Sequence, residues 1–425
     1  MTNTAALSGY ASEARSGSRA LVNSGVTLVS DEGPATTFIV GAPGTENESA
    51  VGYGDGPNAV RCVGVFGGGA VKGFTLTGGR TRTSGVTDAT CGGGALCADE
   101  TSVVEDCVIS NCYALVGAGA FRGTLRRCRI IDCWAIANGN APAARYAYLF
   151  NCYVNHSRGM WTVADMYSLQ SCTIGPDNTN FNGTSADTLY RLASGATVNN
   201  CLLFGRVNQH AGSGTTYSNC IFNAGFTFNG DTNFTTNNCR FVPTADFALD
   251  EDGHPAIGSS VAIDAGDATI YDAALLGDFD CDGKPRFANG LKLDVGAFEA
   301  DWKARYSKVL GQGISVTAAD PAAEERDGCV YLPTGTLALD WTVSSGSGKR
   351  YSFDVRVTGN GTLTVLRDGE AFETYTAASG AVTCGFTMAA TRQTFTFTYT
   401  PGEGDSGGAF LSNFFYQDGT IVIFR

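Results

Sequence analysis

The stretch EDCVI at residues 105–109 returns as RRCRI at 126–130, FNCYV at 150–154, QSCTI at 170–174, NNCLL at 199–203, SNCIF at 218–222 and NNCRF at 237–241. The cysteines Cys107, Cys128, Cys152, Cys172, Cys201, Cys220 and Cys239 are thus separated by 21, 24, 20, 29, 19 and 19 residues. In each copy a polar residue precedes the cysteine, and an aliphatic or aromatic residue follows two places later. A repeat of this length marks a solenoid. Short apolar alternations between glycine, asparagine and serine clusters are strand-and-turn signals, and no stretch inside the repeat carries helical periodicity. Three short strands and three turns fill such a repeat. Stacked coils pair each strand with its copy ~4.8 Å away. The expected fold is therefore a right-handed parallel β-helix, with the cysteine and the residue two later facing inward.

On this reading the cysteines form an interior ladder, because a thiol is small, polarisable and apolar enough for a narrow core. Cys112 and Cys133, each five residues after a ladder cysteine, suggest a second, shorter column. Disulfides are the rival reading of 15 cysteines. The odd count and the one-per-coil spacing favour buried, reduced thiols, and no CxxC cluster suggests a metal site. Phe74 occupies the cysteine slot in VKGFTL at 71–76. The 33 residues from it to Cys107 predict an inserted loop near Thr81–Cys91.

Composition bounds the rest. A chain of 425 residues exceeds one ordinary domain, and 56 glycines with 16% charged residues suit a turn-rich all-β protein. A net charge of −13 argues against nucleic acid or an anionic membrane as partner. No apolar run is long enough to span a bilayer. The N-terminus MTNTAALSGYASEARSG lacks a basic region followed by an apolar one, so an export signal would lie outside this chain.

After the last coil come SSVAIDAGD at 259–267, GDFDCDGKPR at 277–286 and LKLDVGAFE at 291–299. Here the chain resembles bacterial extracellular β-helix proteins related to the pectate-lyase-like superfamily, over roughly residues 20–300. The resemblance implies a β-helix that finishes with these motifs and leaves activity open. The expected organisation is a β-helix over 1–300, a linker over 301–313 with helical character in DWKARYSKVLGQ, and a C-terminal β-sandwich of jelly-roll type over 314–425. In the sandwich Tyr351, Phe353, Val355 and Val357 alternate with polar residues, as do Phe395, Phe397 and Tyr399, and Ile421–Phe424 is a closing strand.

Aligning the coils on the cysteine gives an outward column of Arg122, Arg145 with Tyr146, Asp165 and Arg191, a candidate substrate-binding groove. Trp134, Tyr148, Trp161 and Tyr167 are candidate sugar-stacking rings, and the longer loops of the coils of Cys152, Cys172 and Cys201 would wall the groove. A mixed arginine–aspartate row is equally what a solvated sheet face needs. As catalytic candidates Asp165, Arg145 and Arg191 permit two reactions. Hydrolysis needs a second carboxylate, for which Asp187 is nearest. Elimination from a uronic acid needs a group to neutralise the carboxylate, which arginine supplies, and a base such as His156, His210 or Tyr146. Asp278, Asp280 and Asp282 read as the front of a calcium loop, although Asn289 stands where an EF-hand has its bidentate glutamate; otherwise they cap backbone amides in a turn. His156, His210 and His254 are too dispersed along the chain to suggest a metal site or a triad. Two functions remain open: an extracellular, secreted or surface protein that binds a polysaccharide or cleaves it, with a lyase as one form, or a non-catalytic adhesin or scaffold whose rod self-associates.

Overall fold

A computed structural model describes residues 17–45, 54–82, 84, 87–135, 141–180, 187–189, 192–207, 214–228, 233–256, 260–287, 293–300, 306, 309–310, 313–320, 323–343 and 349–417. These divide into two compact units, one of residues 1–255, 265–286 and 293–299, the other of 256–264, 287–292 and 300–425. The predicted linker helix and Ile421–Phe424 fall almost wholly outside the described residues.

The first unit is a parallel β-helix. Its first sheet stacks seven strands from Ser18–Val22 to Asp187–Leu189; its second stacks nine from Thr27–Val29 to Phe234–Asn237; its third stacks nine from Phe38–Val40 to Arg240–Val242. The register is one residue per coil. In the third sheet Leu76, Ile109, Ile130, Val154, Ile174, Leu203 and Phe222 pair in succession, and all are fully buried. The facing column of the first sheet is small, with Val63, Ala95, Ala120, Ala144 and Val163. The coil is narrow enough that a Cβ on Gly119 would stand 2.7 Å from Ile130 Cγ2.

The cysteine repeat marks the corner between the second and third sheets. The residue before each ladder cysteine (Asp106, Arg127, Asn151, Ser171, Asn200, Asn219, Asn238) has φ between 48° and 53°, and Gly73 plays this part before Phe74 with φ 79°. A single left-handed residue swings the chain through the corner. The ladder thiols sit against carbonyls of this corner. Cys128 Sγ sits 3.3 Å from Val104 O of the preceding coil and 3.3 Å from Arg126 O of its own; Cys172 sits 3.2 Å from Leu149 O and 3.3 Å from Gln170 O. The thiol therefore fills apolar space and is a weak second donor to carbonyls that the ladder already uses, Arg126 O accepting from Asp106 N and Gln170 O from Asn151 N. The second column follows the same rule: Asn111 and Asp132 are left-handed, and Cys112 and Cys133 approach Ser110 O and Ile131 O. Ser157, after left-handed His156, takes the slot in the next coil and donates to Asn155 O. All 15 cysteines are free. Burial pushes the Cys97 thiol up to about 12 and raises those of Cys152 and Cys201 well above the ordinary range.

Of the motifs expected to finish the helix, residues 265–267, 277–286 and 293–299 are laid along its side instead. Segments 243–255, 265–286 and 293–299 form a strap across the second corner. Arg126 Nε donates to Leu275 O; Asn151 Nδ2 donates to Tyr271 Oη, Leu276 O and Phe279 O; Ala297 N donates to Thr173 Oγ1. An asparagine ladder holds the far end: Asn238 Nδ2 donates to Asn219 Oδ1 and Asn219 Nδ2 to Asn200 Oδ1, each at 2.8 Å, while Asn200 Nδ2 donates to Asp267 O at 3.0 Å. Inside the strap, buried Arg286 pairs with Glu299 at 3.1 Å and donates to Gly296 O.

The second unit packs two five-stranded antiparallel sheets. Counting eight strands from Cys329–Leu332 to Gly408–Gln417, the orders are 1-8-3-6 and 2-7-4-5, the connectivity of a jelly roll. Ile314–Ala319 and Glu324–Arg326 extend one edge of each sheet. The alternating residues Tyr351, Phe353, Val355, Val357, Phe395, Phe397 and Tyr399 all face its core.

Candidate functional site

The chain passes from the first sheet to the second through another left-handed residue, and this corner carries the predicted column. Arg122, Tyr146 and Asp165 have φ of 62°, 55° and 52° on successive coils. Side chains other than glycine, asparagine and aspartate seldom adopt this conformation, at a cost of ~1–2 kcal/mol each. Arg145 is not in that column. It lies one residue earlier, on the strand Ala144–Arg145, paired with Phe121 and Ala164. Since Ala144 faces the core, Arg145 points outward and reaches along the helix axis: its Nε donates to Asp165 Oδ2 at 2.7 Å, with both side chains largely buried. Its guanidinium lies 4.9 Å over the Tyr146 ring, and Nη2 is 3.4 Å from Tyr146 Oη. Arg122 lies over Phe121 and donates to Ala98 O, and Tyr146 meets Phe121 edge-on at 5.7 Å.

Beside the corner, the Tyr148 and Tyr167 rings stand 5.1 Å apart on neighbouring coils, both half-buried. Partial burial and the nearby Glu100 carboxylate raise the Tyr167 hydroxyl above its ordinary value. The other two aromatic candidates stand elsewhere. Trp161 is 9% exposed, which leaves little ring face for a sugar. Trp134 belongs to a short run beyond the second cysteine column, where Arg80, Tyr113, Trp134, Arg158 and Thr179 pair coil to coil. There Arg80 lies 3.9 Å over Tyr113, Tyr113 is 5.5 Å from Trp134, and Arg158 lies 5.2 Å over Trp134. Arg191, His210 and the loop residues 136–140 and 181–186 lie outside the described residues. Asp187 pairs with Trp161 on the first sheet.

The strap creates a second concentration of charge. The segments LDEDGHP at 249–255 and FDCDGKP at 279–285 are two copies of one turn. In each the first aspartate accepts two backbone N–H groups: Asp250 Oδ1 from Asp252 and His254, Asp280 Oδ1 from Asp282 and Lys284. Leu249 bridges Pro255, and Phe279 bridges Pro285. Asp280 is fully buried, and its other oxygen accepts from Glu299 N. Burial pushes its carboxyl up against the pull of those donors. Asp282 instead faces Arg129 at 2.7 Å and His254 Nε2 at 2.5 Å, and His254 Nδ1 meets Asp250 at 3.1 Å. Asp278 is exposed. The three aspartates of the calcium-loop pattern thus point three ways, and among the described residues no three His, Cys, Asp or Glu side chains converge on a metal position. Burial alone would push Asp282 up, yet the bonds from His254 and Arg129 hold it at about 2. Burial pulls His254 down but is outweighed by the bond to Asp282 and by both aspartate charges, so its value is raised.

Where strap meets coil there is a cleft of about 530 Å³, lined by Pro34, Lys72, Asp106, Val108, Arg127, Arg129, Phe279 and Asp282 among others. The duplicated Asp-x-Asp-Gly-x-Pro turn was the sequence signal for this region. Its meeting with Arg129 had none, since 153 residues separate Arg129 from Asp282.

No family model matches the chain, and no curated protein matches it. Among solved structures, a similarity is found to the enzymatically active domain of tailspike protein 4 of bacteriophage CBA120, at 11% identity and a TM-score of 0.18, over 83% of this chain and 63% of that one. The match therefore spans less than two thirds of that domain, and the fold assignment rests on the strand order described above.

Proposed function

We propose that this protein binds a linear glycan along the corner between the first and second sheets, at an extracellular or cell-surface location. The observation that carries the reading is the cluster of half-buried tyrosines on two adjacent coils, Tyr146 and Tyr148 on one and Tyr167 on the next, beside the Arg145–Asp165 pair. Aromatic rings with polar tips supply faces for sugar rings and hydrogen bonds at their edges. The left-handed conformations of Arg122 and Tyr146 support it, because such strain concentrates where side-chain placement serves function. The resemblance of SSVAIDAGD and LDVGAFE to pectate-lyase-like β-helix proteins points the same way.

Within this reading, elimination suits the residues better than hydrolysis. Asp165 is engaged by Arg145, which ties up the carboxylate a glycosidase would use. Tyr146 Oη beside Arg145 Nη2 offers a base next to a group that can neutralise a uronate. The scaffold reading also has one observation in its favour: the first coil exposes Val29, Phe38 and Val40 on strands at the end of their sheets, an edge that suits end-to-end association. The deciding experiment is a panel of acidic and neutral polysaccharides, read by affinity electrophoresis and by ultraviolet absorbance for new double bonds. Retardation by one polymer, lost in Tyr148→Ala and Tyr167→Ala, is expected. Unsaturated product would add lyase activity, and binding unchanged in both variants would refute the groove.

A further inference from the structure

The cleft beneath the strap is built for a ligand that the corner groove does not use. Three observations define it. Phe279 is 47% exposed at its mouth, whereas the strap's other aromatic side chains, Phe247, Tyr271 and Phe298, are buried. Its backbone is fixed by the bond from Asn151 Nδ2 and the bridge to Pro285, so the open ring is rigidly presented.

The polar groups opposite are locked in place. Arg127 is clamped by Asp106 at 2.6 Å and by Glu105; Lys72 bridges Glu105 at 3.1 Å and Asp106 at 3.2 Å; Arg129 holds Asp282. Groups held by their neighbours lose little freedom when a ligand arrives. Finally, Lys72, Arg127 and Arg129 line the cleft with Asp106 and Asp282, while Glu105, outside the lining, bonds Lys72 and Arg127, so the site carries both donors and acceptors whose charges are mutually compensated. A phosphate, sulfate or uronate would meet Asp106 and Asp282, and a metal ion or amine would meet the guanidiniums. Vicinal hydroxyls, which both donate and accept, match the set, and the apolar face of a pyranose matches Phe279. The volume lies within the range of small-ligand pockets.

We propose that this cleft is a separate binding site for a neutral sugar ring, stacked on Phe279 with its hydroxyls bonded to Asp106, Lys72 and Arg129. The site does not depend on the corner groove, which takes a chain along successive coils. The test uses the full chain with methyl glycosides of glucose, galactose, mannose and rhamnose, and with glucuronate and galacturonate, read by saturation-transfer NMR and by titration calorimetry. At least one neutral glycoside is expected to bind, both uronates to bind more weakly, and Phe279→Ala to weaken the neutral sugar about tenfold. Phe279 is largely exposed, so an unchanged thermal midpoint will show that the variant is folded. Tyr148→Ala is expected to leave this binding intact while reducing polysaccharide retardation, which separates failure of the cleft from failure of the groove. No binding by any neutral glycoside, binding indifferent to Phe279→Ala, or preference for the uronates would each overturn the proposal.

Discussion

Replacing Cys152 by alanine tests the account of the ladder most directly. The side chain is fully buried, its Sγ lies 3.5 Å from Leu125 O and 3.3 Å from Phe150 O, and Cys172 Sγ from the next coil approaches its backbone N at 3.5 Å. Removing one sulfur forfeits about 1 kcal/mol of transfer free energy. The void, about the size of a methyl group, adds about 0.6 kcal/mol because coils locked above and below cannot close it. Loss of a weak second donor to two carbonyls adds a few tenths. The expected cost is about 2 kcal/mol. The same change at Cys239, in the last coil and half-exposed, should cost well under 1 kcal/mol, since solvent already reaches that site. Urea unfolding followed by circular dichroism and by thiol labelling measures both variants. The transition that coincides with release of the ladder thiols reports the β-helix rather than the jelly roll. Equal losses at the two positions would sink the packing argument. So would native-state labelling of Cys152 or Cys172 as fast as that of half-exposed Cys329.

Three further outcomes follow from other parts of the molecule. Tyr146→Gly relieves left-handed strain of ~1 kcal/mol and removes an edge-to-face contact with Phe121 of similar size, so the urea midpoint should barely move while glycan retardation falls; a large loss of stability would show that Tyr146 is there for packing. The Asp282–His254 pair should stabilise the fold most between about pH 4 and 6.5. Above pH 3.8 the depressed aspartate contributes fully, and this is lost as pH falls toward about 2. The raised histidine contributes fully below 6.5, and this fades as pH climbs through its folded value. His254→Gln should therefore cost most near pH 5 and least once the pH has passed the raised value of the folded histidine, and a loss that grew with pH would contradict the ion pair. Asn200→Ala removes a donor to Asp267 O and an acceptor for Asp267 N and Asn219 Nδ2. It should cost about 3 kcal/mol and speed hydrogen exchange over 265–299 before it affects the coils, whereas uniform exchange would mean that the strap and helix unfold as one.

Legibility followed locality. The cysteine column, the residue two places on and the alternating strands of the jelly roll could be read because each depends on neighbours within one coil or one strand. Their side chains do face inward. The polar residue before each cysteine was visible, but its left-handed backbone was not, since Arg127 and Ser171 adopt it alongside four asparagines and Asp106. The same hidden conformation at the first corner explains the one-residue misplacement of Arg145. A strand reverses its facing with every residue, and a left-handed corner inserts a residue that obeys no alternation. An alignment counted back from the cysteine therefore merged strand residue Arg145 with corner residues Arg122, Tyr146 and Asp165. Once that residue is restored, the geometry sharpens, because an arginine on the strand can reach forward to an aspartate on the next corner, which two members of one column would not do in the same way. The strap lay beyond any local reading. Its end-of-helix motifs were recognisable, while the repeat of Asp-x-Asp-Gly-x-Pro at 250–255 and 280–285 went unread behind the calcium-loop pattern. That those loops return to Arg129 and Asn151 follows only when their outward-facing amide and guanidinium are seen to need partners that the solenoid itself does not provide. Asn151 spends its amide on three strap oxygens, and Arg129 its guanidinium on Asp282 and Asp252 O. Buried polar side chains on an otherwise repetitive face are thus the mark that a later segment must come back to cover them, and the cleft lies where that cover stops short at Phe279.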